Sequence, residues 1–440
     1  MTKDDEQLPE LNTCVSPSHG SRPAKETTFR EWMVANQIGI SLTILSMLLA
    51  VHNLYPSLRP YTAPFFQLSY YDPSKDAYVQ GLDDAYFVFS SAIAFTAIRA
   101  IAIDWVFQPL AQYAGLKKKA SVRFAEQAWL FVYYGFFWSF GMYIWSNSSY
   151  WMNFRAIWAE WPSRTLSGIM KWYLLVQLSF WFQQILVIHI EEKRKDHYQM
   201  LIHHVITSSL LGSAYIYGFY NVSNVVLCLM DLVDILLPTA KMLKYFNFEL
   251  SCNIAFGVFM VAWLVTRHLI YMKLCWSIYK EVPSQMAYGC YSRSTVEMTS
   301  TEAYPDQWGH LFYPFQAVDG PICMNRTIKW IFLSYLLALQ SLCVMWFAMI
   351  VRVAVGVVYT GNAEDTRSDD EEEEGIQASN VAATVKESTG PVTAEGSTSD
   401  WRRSNGSVRT RGRGRGRVRL GDQSDRKALL GRIGCEKPTS

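Results

Sequence analysis

Apolar residues in this chain are gathered into about eight blocks, each roughly as long as a bilayer is thick, with polar linkers between them. A helix needs roughly 20 apolar residues to cross the hydrocarbon core. The blocks are continuous runs, unlike the alternating strands of a membrane β-barrel. The pattern therefore predicts an all-α integral membrane protein. Its predicted transmembrane helices are 34–55, 85–108, 128–147, 168–190, 199–220, 222–246, 252–275 and 327–353.

Charge in the linkers predicts how these spans are oriented. Basic residues concentrate in the second and fourth linkers and at the end of the sixth span, and loops rich in Lys and Arg tend to stay in the cytosol. With eight spans, both termini are then cytosolic. The sequons at Asn147, Asn221 and Asn325 all fall on the lumenal side. Asn147 and Asn325 are the candidate glycosylation sites, because Asn221 lies close to the membrane.

Composition changes the picture at the C-terminus. The whole chain has 440 residues, is 50% hydrophobic and carries a formal net charge of +2. Beyond residue 358 it turns into an acidic run, a stretch rich in Ser, Thr, Gly and Ala, and an Arg-Gly run. Such a composition buries too little apolar surface to fold, so residues 359–440 are predicted to form a disordered cytosolic tail. Ser368, followed by two aspartates and four glutamates, is a candidate phosphorylation site.

The Arg-Gly run of this tail has two interpretations. It could contact RNA or anionic lipid, or it could be a solvated tail with no ligand. The solvated tail is the preferred interpretation, and no nucleic-acid partner is expected.

The eight cysteines form neither a CxxC pair nor a zinc-ligand spacing. Cys290 and Cys323 share the predicted lumenal loop before the last span, where the environment permits a disulfide. A disulfide and two unpaired thiols are equally compatible with the sequence.

Two histidines and two aspartates fall inside the predicted fifth and sixth spans. Each costs about 2.5–3.5 kcal/mol on insertion scales, so such residues are functional candidates. His203 and His204 lie near the cytosolic end of the fifth span, and Asp231 and Asp234 share one face of the sixth. A tight lumenal turn makes the two spans antiparallel neighbours, so one shared pocket is predicted. A carboxylate beside an imidazole raises its basicity, as a general base requires.

The intramembrane residues have other interpretations as well. The aspartates could pair with Lys241 in a purely structural network. A di-iron centre needs more histidine ligands than the spans supply, so no metal site is predicted. Cys228 precedes Asp231 by one helical turn, but no cation or helix N-terminus activates its thiol. Arg267, in the seventh span, could pair with a buried carboxylate or line the cavity.

The paired histidines, the 26 residues that follow them and the Asp-x-x-Asp pair occur together in this order. With the preceding stretch from Glu191, they resemble the Lag motif of the ceramide synthases, which are TLC-domain acyltransferases. The resemblance covers roughly residues 29–355. It favours the fungal branch, and the linker between the first two spans is too short for the homeobox-like insert of many animal members.

This resemblance implies a TLC-type helical barrel around a central active-site cavity. The TLC catalytic domain would cover residues 85–355, after a cytosolic tail at 1–30 and the first helix with its lumenal loop at 31–84. It implies a multi-pass enzyme of the endoplasmic reticulum that acylates sphinganine or phytosphingosine with fatty acyl-CoA, giving (dihydro)ceramide without a cofactor. A homodimer or a small single-span regulatory subunit is also implied. The alternative is a TLC-fold protein without catalysis, which senses lipid or associates with the translocon.

The resemblance also assigns roles to the candidate residues. One of the two histidines would deprotonate the amine, oriented by Asp231 and Asp234. A route through an acyl-imidazole stays open. Arg194, Lys195 and Arg267 are the candidate substrate-binding residues. The first two are placed to contact the phosphates of CoA, or are ordinary basic residues of a cytosolic loop.

Overall fold

Eight long helices follow one another in the computed structural model, which describes residues 29–162, 165–190, 196–291, 298–300, 309–316 and 320–360. Each of the eight overlaps one predicted span. They are α1 Phe29–Leu54, α2 Asp84–Tyr113, α3 Lys118–Ser146, α4 Gly168–Ile190, α5 His197–Ile216, α6 Tyr220–Tyr245, α7 Glu249–Lys280 and α8 Arg326–Thr360. Shorter helical segments are Pro56–Leu58, Arg59–Thr62, Ala63–Phe65, Ala156–Trp158, Val282–Gln285 and Gly309–Gln316.

Six of the eight helices are long and apolar enough to cross a membrane within the described residues: α1, α2, α4, α6, α7 and α8. Helices α3 and α5 form where the third and fifth spans are predicted, but they do not reach the same hydropathy. Helix α3 begins with two lysines and is rich in Trp and Tyr, and α5 carries three histidines. The structure thus supports a multi-pass membrane protein, while the count of eight spans and the barrel shape stay predictions.

Two of the long helices contain a π-helical segment. In α2 it is Ala102–Phe107, and in α7 it is Leu264–Ile270. A π-segment inserts an extra residue into a helical turn, and such insertions are frequent at functional sites. The segment in α7 carries Arg267 at its centre, so the local winding of α7 decides where this side chain points.

Close packing between helices holds the membrane part together. Helices α3 and α6 pack along each other, α4 packs against α2 and α5, and α8 contacts α5 and α7. Aromatic rings fill the contact between α2, α3 and α4: Phe180 stacks on Tyr133 with 3.5 Å between ring centroids, and Phe95 meets Phe180 edge-on at 5.8 Å. In lipid, such packing and interhelical hydrogen bonds replace the hydrophobic driving force.

Two small antiparallel sheets lie in the connections on the predicted lumenal side. The first contains β1 Tyr71–Asp72, β2 Ala77–Val79 and β3 Thr165–Leu166, with β2 in the centre. The second contains β4 Gly289–Tyr291, β5 Met298–Ser300 and β6 Ile322–Met324, with β4 in the centre. Cys290 and Cys323, register partners on β4 and β6, form a disulfide, so the bonded alternative of the two left open is the one observed.

A buried ion pair fastens the first of these loops to the helices. Lys171 of α4 is fully buried, and its Nζ lies 2.7 Å from Asp84 Oδ1 at the start of α2. The same ammonium donates hydrogen bonds to the backbone carbonyls of Ser69 and Val79, at 2.8 and 2.7 Å. The Tyr215 hydroxyl of α5 donates to Asp84 Oδ2 at 2.7 Å. These contacts are structural, because they bind a loop to three helices.

Candidate active site

A largely apolar cavity with about 960 Å³ of empty space, its opening included, lies between helices α4 to α8. His203 and Asp234 line it from the halves of α5 and α6 nearest the α4–α5 and α6–α7 connections, while Ser223 and Lys329 line it from the first turns of α6 and α8. From His203 to Ala214 the cavity follows α5 for about 16 Å, at a rise of about 1.5 Å per residue. Its apolar wall includes Leu210, Leu211, Ala214, Val222, Val226, Phe332, Leu336 and Leu339.

The two histidines occupy different environments although they are adjacent on α5. His203 lines the cavity, where its ring meets those of Trp181 and Trp346 edge-on at 5.6 and 5.2 Å. Its Nδ1 is buried without a hydrogen-bond partner among the described residues. His204 is 5% exposed and is absent from the cavity lining, and its Nδ1 lies 2.8 Å from the Met200 carbonyl oxygen.

That hydrogen bond determines the tautomer of His204. A carbonyl oxygen only accepts, so Nδ1 carries the proton and Nε2 of a neutral ring becomes the acceptor. The backbone of its own helix, and not an aspartate, therefore fixes the ring of His204. The two imidazole rings lie 5.5 Å apart and nearly perpendicular.

Asp234 forms an ion pair with Arg267 on the cavity wall. Arg267 Nη2 donates to Asp234 Oδ2 at 2.8 Å and to the Met230 carbonyl oxygen at 2.8 Å. The guanidinium also lies over the Trp263 ring, 4.3 Å from its centroid. The carboxylate is the more accessible partner, since 29% of the Asp234 side chain is exposed but only 6% of the Arg267 side chain. The intramembrane arginine thus takes the first of its two predicted roles and also lines the cavity.

Asp231 lies behind the cavity wall, in the contact between α3, α4 and α6. It is 1% exposed, and Gln177 Nε2 of α4 donates to its Oδ2 at 3.0 Å. The Tyr133 hydroxyl of α3 in turn donates to Gln177 Oε1 at 2.7 Å. The other carboxylate oxygen, Oδ1, has no partner within the described residues. Asp231 therefore anchors a chain of buried hydrogen bonds that runs across three helices.

The prediction of one pocket shared by all four ionisable residues is correct only for His203 and Asp234, which both line the cavity. In the described part of the chain, no hydrogen bond joins either imidazole to either aspartate. The difference arises from helix rotation: Asp231 and Asp234 are three residues apart, about 60° short of a full helical turn, so one faces the cavity and the other faces α4. Each carboxylate is instead paired with a residue of a further helix.

The remaining sequence predictions concern residues away from this wall. Cys228 is buried with its Sγ 3.8 Å from Asn224 Nδ2 and is not part of the cavity lining. The described residues contain no group of three or more His, Cys, Asp or Glu side chains placed to hold one metal ion.

The two candidate glycosylation asparagines lie at helix ends. Asn147 donates through Nδ2 to the Tyr143 carbonyl, and Asn325 Oδ1 caps the start of α8. Arg194, Lys195 and Ser368 lie outside the described residues.

Sequence reasoning missed three residues of this site. Gln177 and Tyr133 hold Asp231, and Trp181 contacts both imidazole rings and lines the cavity. Gln177 had a detectable signal, because a polar amide inside an apolar span needs a partner. The two aromatic residues had none, since Trp and Tyr are common throughout these helices.

Comparisons with known proteins point in one direction. A family model described as the TLC domain matches residues 123–352, which include the helices that line the cavity, α4 to most of α8. A sphingosine N-acyltransferase-like protein of Alternaria alternata is 43% identical over 351 residues, or 79% of this chain and 78% of that protein. A ceramide synthase of Gibberella moniliformis is 36% identical over 75% and 78% of the two chains. A sphingosine N-acyltransferase of Schizosaccharomyces pombe is 38% identical over 76% and 79%.

Proposed function

This chain belongs to the TLC-domain family and to its ceramide synthase branch, and on that premise we propose that it N-acylates a long-chain sphingoid base at the cavity lined by His203. The acyl donor is a fatty acyl-CoA, the acceptor is sphinganine or phytosphingosine, and the product is the corresponding ceramide. The observation that carries the proposal is an imidazole with a free ring nitrogen on the wall of a long apolar cavity.

The shape and polarity of the cavity suit such a substrate. A fatty acyl chain requires an apolar channel, and the wall from Leu210 to Ala214 on α5 and from Phe332 to Leu339 on α8 offers one. We place the thioester where His203 and Asp234 line the cavity. The acyl chain then extends along α5 and α8, and the reacting carbonyl lies beside the imidazole.

The chemistry needs a base. A long-chain amine has a pKa close to that of Lys, about 10.4, so near neutral pH it is mostly protonated and cannot attack. We assign proton removal to His203, because it lines the cavity whereas His204 is bonded to its own helix. The route in which an imidazole first takes the acyl group remains an alternative, and it uses the same free nitrogen.

The charged and amide residues position this centre. Asp234 offers the accessible carboxylate of the wall, held by Arg267, and balances a positive charge that develops on the imidazole or the amine. Asp231 acts through Gln177, whose hydrogen bond connects α4 to α6. His204 acts through its hydrogen bond to the Met200 carbonyl within α5. Asp231 and His204 are therefore positioning residues in this scheme.

Several finer assignments belong to the same proposal. Arg194 and Lys195, in the α4–α5 connection close in sequence to His203, would bind the phosphates of CoA. The enzyme would lie in the endoplasmic reticulum membrane with both termini in the cytosol. It needs no cofactor, because the thioester is already activated. A homodimer or a small single-span subunit would be its partner.

The decisive experiment is an assay of the purified chain with palmitoyl-CoA and sphinganine. We expect ceramide formation by the wild type and a loss of about 10²–10⁴-fold for His203→Ala, the scale of a lost general base. The matched control is His189→Ala, because His189 is exposed and bonded to its own helix through Nδ1 and the Ile185 carbonyl, 2.7 Å away. A wild-type chain that binds lipid but forms no product would favour the non-catalytic alternative.

A further inference from the structure

Two polar side chains beside His203 are buried on the cavity wall and make no hydrogen bond with the described residues. They are Trp181, through its indole Nε1, and Thr207, through its hydroxyl. Hydroxyls inside a helix commonly donate to the carbonyl four residues earlier. Thr239 and Thr266 do so here, at 2.8 and 2.9 Å. Thr207 does not, so its O–H is left without an acceptor among the described residues.

Both groups lie next to the imidazole assigned to the reaction. Thr207 follows His203 by four residues on α5, so the two side chains share one helical face. The Trp181 ring of α4 lies 5.6 Å from the His203 ring. A buried donor without an acceptor destabilises the folded state, and each such group calls for an explanation. Here two such donors belong to residues that line the same cavity from two helices.

We propose that the Thr207 hydroxyl and the Trp181 indole N–H form an oxyanion hole for the acyl transfer. This inference rests on the proposed function, because only an acyl-transfer reaction develops a negative charge on the carbonyl oxygen beside His203. Fixed donors in a site that excludes water stabilise such a charge strongly and need no reorganisation during the reaction. The two side chains are thereby assigned as catalytic residues.

The proposed step balances as follows. The ammonium loses one proton to His203, and the resulting amine nitrogen forms a bond to the thioester carbonyl carbon while the electron pair of the C=O bond moves onto oxygen. The second surplus proton of this nitrogen is released to solvent once the C–N bond has formed. The oxyanion accepts hydrogen bonds from Thr207 and Trp181. It then re-forms C=O and breaks the C–S bond, and the departing CoA thiolate takes the proton from the imidazole. In the acyl-imidazole route the same oxyanion forms, so the hole serves both routes.

The fold supplies two matched controls. Ser208 is the next residue on α5, and its hydroxyl is also buried without a partner among the described residues, but it does not line the cavity. Trp129 of α3 has a buried indole N–H that also lacks a hydrogen-bond partner among the described residues, and Trp129 does not line the cavity either. If an unsatisfied donor mattered only for stability, the control substitutions would act like those at Thr207 and Trp181.

The test compares Thr207→Val and Trp181→Phe with Ser208→Ala and Trp129→Phe in the purified enzyme. Each cavity substitution removes a donor and keeps most of the side-chain volume. We expect kcat to fall about 10²–10³-fold in both, with KM little changed, because the oxyanion exists only in the transition state. Thr207→Ser should retain activity, since it keeps the hydroxyl, and both controls should stay within about twofold of the wild type.

The outcomes separate this inference from the proposed function. Near-normal kcat in Thr207→Val and Trp181→Phe, alongside an inactive His203→Ala, overturns the oxyanion hole and leaves the acyltransferase intact. A loss confined to one of the two overturns the two-donor arrangement. A wild-type chain without product overturns the proposed function instead. An altered elution volume or melting temperature identifies a variant that has merely failed to fold. Thr207→Ser tests the hydroxyl without changing Trp181.

Discussion

Removing either charge of the Asp234–Arg267 ion pair should destabilise the helix bundle by several kcal/mol. The pair has a nitrogen–oxygen distance of 2.8 Å, and its guanidinium is almost fully buried. Breaking a buried pair by removing one partner costs about 3–5 kcal/mol, because the other charge is left uncompensated. We expect Asp234→Asn to destabilise the fold by an amount near the lower end of this range, because Arg267 keeps its hydrogen bond to the Met230 carbonyl and its contact with the Trp263 ring.

The double variant makes the prediction specific to the pair. Asp234→Asn combined with Arg267→Met removes both charges, so it should cost less than the sum of the two single variants by about 3 kcal/mol, the upper end of measured coupling energies. If the entropy of unfolding scales with a folded part of roughly 300 residues, a loss of 3–5 kcal/mol lowers Tm by about 5–8 °C. Activity should stay low in the double variant, because the cavity wall no longer carries the Asp234 carboxylate.

Thermal unfolding in detergent can be followed with a thiol-reactive dye. Four free cysteines of the described residues are buried and become reactive as the helices separate: Cys228, Cys252, Cys275 and Cys343. Asp104→Asn is the control, because this aspartate is exposed on α2 away from the cavity. If the losses of unfolding free energy in the two single variants add up in the double variant, the charges are not coupled and the assignment of the pair is wrong.

Three further predictions concern parts of the structure outside the ion pair. Gln177→Leu leaves the Asp231 carboxylate without its buried donor, so we expect a loss of about 1.5–3 kcal/mol in the same unfolding assay, and an unchanged Tm would contradict the network. Cys290→Ser opens a disulfide whose cysteines are 33 residues apart, which should cost about 4 kcal/mol by loop entropy; equal melting of the variant and the oxidised wild type would refute this. Deleting residues 366–440, or replacing Ser368 by Ala, should leave ceramide formation in microsomes unchanged, because the matched TLC domain ends at residue 352, and a fall in product would assign the tail a regulatory role.

Hydrophobic patterning predicted the helices well because membrane insertion is a local property. A run of apolar residues long enough to cross the bilayer has to satisfy its backbone hydrogen bonds within itself, and a helix does so. The same reasoning marked His203, Asp234 and Arg267, since an ionisable group in such a run is costly wherever it ends up. Cys290 and Cys323 were candidates for a disulfide because they share one predicted lumenal loop, and the structure contains this disulfide.

The sequence by itself therefore determined the helical segments, the intramembrane polar residues and the family of this protein. Only the tertiary structure decided which of those residues face the cavity and what each one binds. Asp231 turns to Gln177 on α4, and Asp234 turns to Arg267 on α7. The physical reason is that helix rotation and the identity of neighbouring helices depend on packing along whole helices, and an extra residue in a π-segment changes which side chain points inward. That information is spread over distant parts of the chain and is not contained in any one segment.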